Sequence, residues 1–268
     1  MAIVKFAMAS AHPLPHSGHA KFRVTKSVPG KRDTDLPSRL LILQEYYHTL
    51  LSAHGPQHWW PGRSRFEVIV GAILVQNTSW ANVAGAIRNL RREKLLAPAA
   101  MHRVETEKLR ELIRSSGYFR QKTRKLKAFT RFLYEKYAGS LTKMFQTPTA
   151  TLREQLLAIH GIGPETADVI LLYAGKHPVF VVDAYARRIL ARHELTLKAH
   201  PYEELRRLFE ASLPKEPQLY NEFHALIVHI GKEFCRKSEP TCGDCPLRRF
   251  LPQAFSLVTL HWPLGTSA

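Results

Sequence analysis

The feature that most constrains this chain is the run Leu157-Ala158-Ile159-His160-Gly161-Ile162-Gly163-Pro164-Glu165-Thr166-Ala167-Asp168, continuing to Tyr173-Ala174-Gly175. A helical pattern stops, two glycines one residue apart follow, and a proline opens a second helical pattern. Gly161 and Gly163 permit backbone angles that a side chain would block, and they let another molecule approach the main chain closely. Pro164 stands at the first helical position, where its missing N–H leaves no bond unmade and its fixed φ suits a helix. Amides exposed at such a helix start form a site for an anion, a DNA phosphate among them. A plain turn between two packed helices uses the same residues, so the hairpin alone fixes a geometry and leaves its purpose open.

From Ser38 onward apolar residues recur at three and four spacing, in segments of about 10 to 17 residues split by Gly, Pro and Ser breaks. The pattern predicts an all-α fold with little room for strands. Ser64-Arg65-Phe66-Glu67 reads as a capping box opening an apolar helix that ends near Gln76, and Thr151-Leu152-Arg153-Glu154 reads as another. Further helices are expected near 80–94, 107–115, 121–137, 184–194, 202–213 and 217–233. In the helix at 121–137, Leu126, Phe129 and Leu133 make an apolar face. Arg120, Arg124, Lys127 and Arg131 make a basic stripe that no acid interrupts from Arg120 to Phe132, which suits either plain solvation or phosphate contact.

The 268 residues are 45% hydrophobic, ample for a buried core. Against 22 Asp and Glu stand 39 Lys and Arg, a net charge of +17 that points first to a polyanionic partner. The same charge suits ribosomal proteins and binders of anionic membranes, so motifs must decide. The longest apolar run, Val68 to Val75, is eight residues, far short of the roughly 20 of a membrane span, and a soluble protein with no membrane partner is expected. Only three cysteines occur, all between Cys235 and Cys245, which argues against a secreted disulfide framework and for a reducing compartment. Residues 1–35 carry six basic residues and no acid before Asp33, without periodicity, and read as a disordered basic arm. Their composition is similar to a transit peptide but lacks its amphipathic spacing, so the expected location is cytoplasmic.

Past the hairpin, the apolar run Val179-Phe180-Val181-Val182 leads to Asp183, which opens another helix at Ala184-Tyr185-Ala186-Arg187. With these residues the sequence resembles the endonuclease III superfamily of DNA glycosylases. Its motif is a Gly-hydrophobic-Gly hairpin followed at a fixed distance by Val-Asp at the mouth of the lesion pocket. The spacing from Glu165 to Asp183 matches, and the resemblance runs from about Trp59 to Leu251. It implies a base-excision-repair enzyme that flips a damaged base out of double-stranded DNA and hydrolyses its N-glycosidic bond. Asp183 would then stabilise positive charge on the sugar and help activate water. The chemistry needs a carboxylate there, because the bond breaks through an oxocarbenium-like sugar that a fixed anion stabilises. Asp183 also reads as a helix N-cap, a role compatible with the first.

In bifunctional members a hairpin lysine attacks the sugar and forms a Schiff base. Glu165 stands in that place, and a carboxylate cannot form an imine, so a monofunctional enzyme without lyase activity is expected. Taken by itself, Glu165 reads as a first-turn acid favoured by the helix dipole.

Cys235-x6-Cys242-x2-Cys245 reproduces three of the four cysteines that hold the superfamily's [4Fe–4S] cluster, and Leu251 stands where the fourth is expected. A cluster completed by water or another side chain, a zinc site using His261, and a metal-free loop all stay open. Arg236, Lys237, Arg248 and Arg249 decorate the loop in every case.

Three segments are more similar to the MagIII-type 3-methyladenine glycosylases within the superfamily: Trp59-Trp60-Pro61, Gln76-Asn77-Thr78-Ser79-Trp80 and Ser116-Gly117-Tyr118-Phe119-Arg120-Gln121-Lys122. That resemblance implies that Gln76 and Tyr118 fill the gap left by the flipped nucleotide and that Trp59, Trp60 and Trp80 line the base pocket. Gly161, Gly163, Arg120 and Lys122 complete the expected DNA contacts. A cationic N-alkylated purine is drawn to an indole face, so alkylated purines such as 3-methyladenine are the expected substrates. Two alternatives are an endonuclease III-like enzyme for oxidised, deaminated or mismatched pyrimidines, and a non-catalytic DNA-binding protein. Asp183 together with Gln76 speaks against the last. The expected architecture has two lobes, one at 57–177 carrying the hairpin and one made of 36–56 plus 178–255, with a tail at 256–268. DNA would cross the cleft with Asp183 at the junction, and a single chain would act alone.

Overall fold

A computed structural model describes residues 36–57, 59, 62–196 and 200–252; the expected basic arm, Trp60, His261 and the tail lie outside the described residues. Every regular element among the described residues is a helix, as the apolar spacing predicts. The order is α1 (Leu36–His54), α2 (Arg65–Leu74), α3 (Trp80–Arg92), α4 (Pro98–Arg103), α5 (Thr106–Leu112), α6 (Phe119–Tyr137), α7 (Leu141–Phe145), α8 (Thr149–Leu157), α9 (Pro164–Val169), α10 (Ala184–Arg192), α11 (Tyr202–Ser212) and α12 (Pro217–Glu233). A 3₁₀ turn at Arg114–Ser116 precedes α6, and a π turn at Ile170–Ala174 extends α9.

The centre is α2, in which every residue but Arg65 is buried. Half of its expected capping box forms: Ser64 Oγ accepts from the Glu67 amide at 3.2 Å, while the Glu67 carboxylate turns to α3 instead of back to the cap. Glu67, buried, pairs with Arg91 of α3 at 2.6 Å, so a carboxylate inside the packed layer is neutralised. Around α2 pack α3, α6, α9 and the π turn. α1 returns from far away in sequence to lie on α11 and α12, where Gln44 Nε2 donates to the Ser212 carbonyl at 2.7 Å.

Thr151-Leu152-Arg153-Glu154 does not form a capping box. α8 starts three residues earlier than a Thr151 cap would place it, with Pro148 at its N-cap and the Pro148 carbonyl accepting from the Leu152 amide at 2.9 Å. Arg153 serves elsewhere: Nε and Nη2 clamp Asp168 of α9 at 2.7 and 3.1 Å, and Nη2 reaches Glu203 of α11 at 2.6 Å. Asp168 is fully buried. Burial pushes its carboxyl up while Arg153 pulls it down, and this fork pins the hairpin helix to the helices beside and beyond it.

Val179 to Val182 is buried and extended but pairs with no strand. Side chains satisfy its backbone instead: the Phe180 amide donates to Glu210 at 3.0 Å and the Val182 amide to the Tyr202 hydroxyl at 3.4 Å. Phe180 stacks on Phe209 with ring centres 4.1 Å apart. This anchored connector delivers the next residue, Asp183, to a fixed point.

Candidate active site

Asp183 is the N-cap of α10, its Oδ1 accepting from the Ala186 amide at 2.8 Å. Held by that bond, its other oxygen turns to a cavity of about 770 Å³, large enough for a nucleobase. Trp59 and Trp80, Thr78 and Ser79, Glu165 of α9, Tyr185 of α10, and His224 and Lys232 of α12 line the same space. Two of the three tryptophans expected at a pocket thus line the cavity together with Asp183, and the third, Trp60, lies outside the described residues. The Trp59 indole N–H is enclosed without a hydrogen-bond partner among the described residues. Lys232 Nζ sits 4.9 Å from the Trp59 ring centre.

Glu165 is the exposed first-turn acid that its position suggests, and it also borders the cavity. Solvent reaches it at the rim, yet protein surrounds enough of it that desolvation raises its carboxyl, the Asp183 charge raises it further, and His224 and Arg187 oppose.

His224 was not anticipated from the sequence. It lies on the inner face of α12, 5% exposed, with Nε2 3.6 Å from Asp183 Oδ2 and Nδ1 hydrogen-bonded to the Tyr173 hydroxyl. Tyr173 comes from the π turn, and burial, with Asp183 and Glu222 nearby, holds its phenol well above the ordinary range. A π turn advances the chain out of α-helical phase and is often found at functional positions.

Of the hairpin's two glycines, only Gly161 takes a backbone angle that a side chain would block; Gly163, at φ −90, does not. Gly161 has φ +84, and a Cβ there would lie 2.5 Å from the Lys125 side chain. At Gly163, by contrast, an added Cβ would meet no protein atom, so the space in front of this backbone is open. Gln76 is tied to the hairpin: Nε2 donates to the Gly161 carbonyl at 3.1 Å and to Thr166 Oγ1 at 2.8 Å, while Oε1 accepts from Lys125. Tyr118 stands apart from it in bonding, 66% exposed with a left-handed backbone at the head of α6.

The basic stripe of α6 is thinner than its sequence suggests. Arg120, Arg124 and Arg131 are exposed. Lys122 instead points inward, 2% exposed, and donates to the Ser116 carbonyl at 2.5 Å. Burial lowers its ammonium to about 8. Lys127 caps the end of α4, donating to the carbonyls of Met101 and His102 at 3.1 and 3.0 Å and to that of Val104. In this structure neither lysine is free to meet a phosphate. Spacing carries the signal for Lys122, which stands four residues before the buried Leu126 and so shares its face.

The three thiols do converge, since Cys235, Cys242 and Cys245 line one small cavity with Arg192, His193, Arg248 and Leu251. Its free volume is about 10 Å³, room for one water and not for a cubane. Leu251, apolar, closes the side where a fourth thiolate would enter, and no His, Cys, Asp or Glu set among the described residues is arranged to hold a metal ion. Arg192 Nη1 donates to Cys235 Sγ at 3.1 Å, and burial raises the Cys245 thiol to about 11. The residues present therefore do not fit a [4Fe–4S] cluster. Side chains fasten the loop: Arg188 donates to the Cys235 carbonyl at 2.6 Å, Arg249 to Thr49 at 2.8 Å, and Phe250 packs on Tyr46 at 4.9 Å. Among the described residues no helix is long and apolar enough to cross a membrane.

Residues 70–215 match the HhH-GPD superfamily base excision DNA repair protein family. A Methanocaldococcus jannaschii protein provisionally named as a DNA repair glycosylase is 46% identical over 211 residues, which span 78% of this chain and 95% of that protein. Endonuclease III of Thermotoga maritima is 29% identical over 183 residues, 68% of this chain and 80% of that protein. Among solved structures, the H. pylori 3-methyladenine DNA glycosylase MagIII bound to 1,N6-ethenoadenine superposes with a TM-score of 0.63 at 30% identity, covering 73% of this chain and 97% of that one. A non-covalent endonuclease III–DNA complex superposes with a TM-score of 0.71 at 23% identity, covering 82% and 98%, and shares the fold.

Proposed function

Because the chain belongs to the HhH-GPD superfamily and is a DNA glycosylase of base excision repair, we propose that it is a monofunctional one acting on damaged purines, alkylated bases such as 3-methyladenine first among them. The observation that carries this reading is Asp183: it is fixed at the head of α10 and faces a base-sized cavity walled by Trp59 and Trp80. A purine out of the stack loses its neighbours' ring faces, and the two indoles lining the cavity supply replacements. Glu165 supports the hydrolytic half, since the place that a Schiff-base lysine would take holds a carboxyl.

DNA would lie along the open backbone at Gly163, with Arg120, Arg124 and Arg131 following the phosphates and Tyr118 probing the helix. On this reading the lobes at 57–177 and at 36–56 plus 178–255 hold the duplex between them, and one chain suffices. Gln76 would have to leave the hairpin to fill the gap, exchanging its bonds to Gly161 and Thr166 for contacts with DNA.

Lys232 sharpens the substrate class. Its ammonium already lies against Trp59, so a neutral adduct fits that ring better than a second cation does.

The test is base release from methylated DNA and from duplexes containing 1,N6-ethenoadenine, uracil, thymine glycol or a mismatch, with Asp183→Asn as control. Release of damaged purines, lost in the variant, with strand breaks appearing only after alkali, is the expected result. Release confined to damaged or mismatched pyrimidines would replace the substrate class, and strand cleavage without alkali would overturn the monofunctional reading.

A further inference from the structure

We propose that His224 holds the attacking water jointly with Asp183 and accepts its proton, an assignment that rests on the hydrolytic reading above. The two groups come from different helices yet meet at one point of the cavity wall. Asp183 cannot turn freely, because its Oδ1 is committed to the Ala186 amide. His224 is held from behind by Tyr173 at Nδ1, and its buried Nε2 has no hydrogen-bond partner among the described residues.

The 3.6 Å between Nε2 and Oδ2 is too long for a hydrogen bond; one water about 2.8 Å from each would span it once a small turn of the ring opens the enclosed Nε2 to the cavity. Such a water would donate one hydrogen to the carboxylate and one to the imidazole, leaving its lone pairs turned to the cavity where the sugar carbon must come. The arrangement requires the tautomer with its proton on Nδ1, donated to the Tyr173 oxygen. A phenol kept protonated by burial and by the nearby Asp183 and Glu222 charges has that oxygen's lone pairs to offer.

The step balances as hydrolysis. The sugar–base bond breaks with its electron pair leaving on the base: a cationic 3-methyladenine departs as the neutral base, whereas a neutral adduct such as 1,N6-ethenoadenine takes up a proton from solvent. The water oxygen bonds to the sugar carbon, and its proton passes to His224 Nε2. The imidazolium stands beside the Asp183 carboxylate, which stabilises it, and then returns the proton to solvent. Asp183 thus remains an anion throughout and can stabilise the sugar cation without serving as the base.

Protonating His224 beforehand removes the acceptor, so the rate falls on the acid side. The charged and titratable groups that surround it are Asp183 and Arg187 of α10, Glu165 of α9, Tyr173 of the π turn, and Glu222 and Lys232 on α12 itself, with Tyr47 of α1 packed on the adjoining Phe223. Of these, Glu165 has a carboxyl that burial and the Asp183 charge raise, and Glu165→Gln separates its contribution.

The experiment is single-turnover base release across about pH 5 to 8.5 by the full chain and by His224→Gln, Tyr173→Phe, Glu165→Gln and Asp183→Asn. Circular dichroism and binding to an abasic-site duplex are measured on each. His224→Gln is expected to bind DNA normally, to release base on the order of 10²-fold more slowly, and to lose the acid limb. Glu165→Gln should keep that limb. A His224→Gln enzyme with the wild-type rate, or a slower one with the acid limb intact, would overturn the proposal and leave His224 a packing residue. If His224→Gln does not fold, the other profiles decide. A wild-type profile without an acid limb, or a limb that Tyr173→Phe leaves in place, overturns the assignment; a limb displaced by Tyr173→Phe upholds it. Wild-type enzyme releasing no base from any duplex would sink the function reading first and this one with it.

Discussion

The Asp183 cavity and the cysteine loop are two ends of one pair of helices. α10 begins with Asp183 and ends with Arg192, and α12 carries His224 and Lys232 before running into Cys235. At the first end the protein gathers titratable side chains and leaves about 770 Å³ between them. At the second it gathers three thiols and leaves about 10 Å³. The polar atoms differ in the same sense. Trp59 Nε1 and His224 Nε2 are enclosed without partners, whereas Cys235 Sγ already accepts from Arg192 and the loop carbonyls are taken by Arg188 and Arg192. Leaving a buried donor or acceptor unpaired costs on the order of 1–3 kcal/mol, and such a cost persists where a ligand supplies the missing bond. One end is thus open with unmet polar groups, and the other is closed with its backbone carbonyls and the Cys235 sulfur engaged.

The largest effect that would break this contrast is at Asp183. Asp183→Asn keeps the α10 cap, since asparagine caps nearly as well, but removes the anion, and base release should fall by on the order of 10³-fold with folding and DNA binding kept. Retained release in that variant would mean that the open cavity is not the catalytic one.

A second change converts one chemistry into another. Glu165→Lys places an amine beside Asp183, and with an abasic or lesion-bearing duplex it should give a borohydride-trappable covalent complex that the wild-type chain does not. Trapping by wild type would identify an amine elsewhere and undo the case for hydrolysis alone.

How much of this contrast could be read beforehand follows from how local each signal is. The hairpin and Asp183 are legible because their determinants are neighbours in sequence: two glycines and a proline at a helix start, and a capping carboxylate after an apolar connector. The cavity wall is less so. His224 lies 41 positions after Asp183 on a helix whose inner face is otherwise apolar, so its meaning depends on how α10 and α12 cross. Lys122 misleads because a lysine in a basic stretch suggests solvent, although its spacing from Leu126 already places it inside. Thr151-x-x-Glu154 misleads in the opposite direction, since the local pattern for a cap is present and Pro148 starts the helix earlier. At Leu251, sequence alone shows a missing thiol but not that the chamber has closed around the remaining three.

Lys232 offers a smaller test inside the open site. Replacing it with methionine keeps the stem against Trp59 and removes the charge, which at an exposed position is worth about 0.5–1 kcal/mol. Release of a cationic base relative to 1,N6-ethenoadenine should therefore rise about two- to fivefold. An unchanged ratio of the two rates would show that Trp59 does not read the charge of the base.

The smallest effect is expected at the closed site, and it is the one that defines the site as closed. Replacing Cys235 with alanine and Cys242 and Cys245 with serine should leave base release within about twofold of wild type, because side-chain contacts rather than a cluster hold the loop. The purified wild-type chain should carry iron far below one cluster per molecule. Cys245 adds a signature in stability. Its thiol is pushed from 9.0 to about 11, burial being the main cause and the other two thiols adding to it. A group raised in the folded state stabilises fully below its unfolded value and loses that contribution as pH rises through the folded value, because the unfolded chain releases the proton first. The advantage of wild type over Cys245→Ser in melting temperature should thus be constant up to about pH 9 and shrink between about pH 9 and about pH 11. Cysteines bound as thiolates to iron would have no proton to lose in that window. An advantage that stays flat across it, together with stoichiometric iron and a collapse of the loop on chelation, would mean that the thiols are ligands and that both ends of α10 and α12 are working sites.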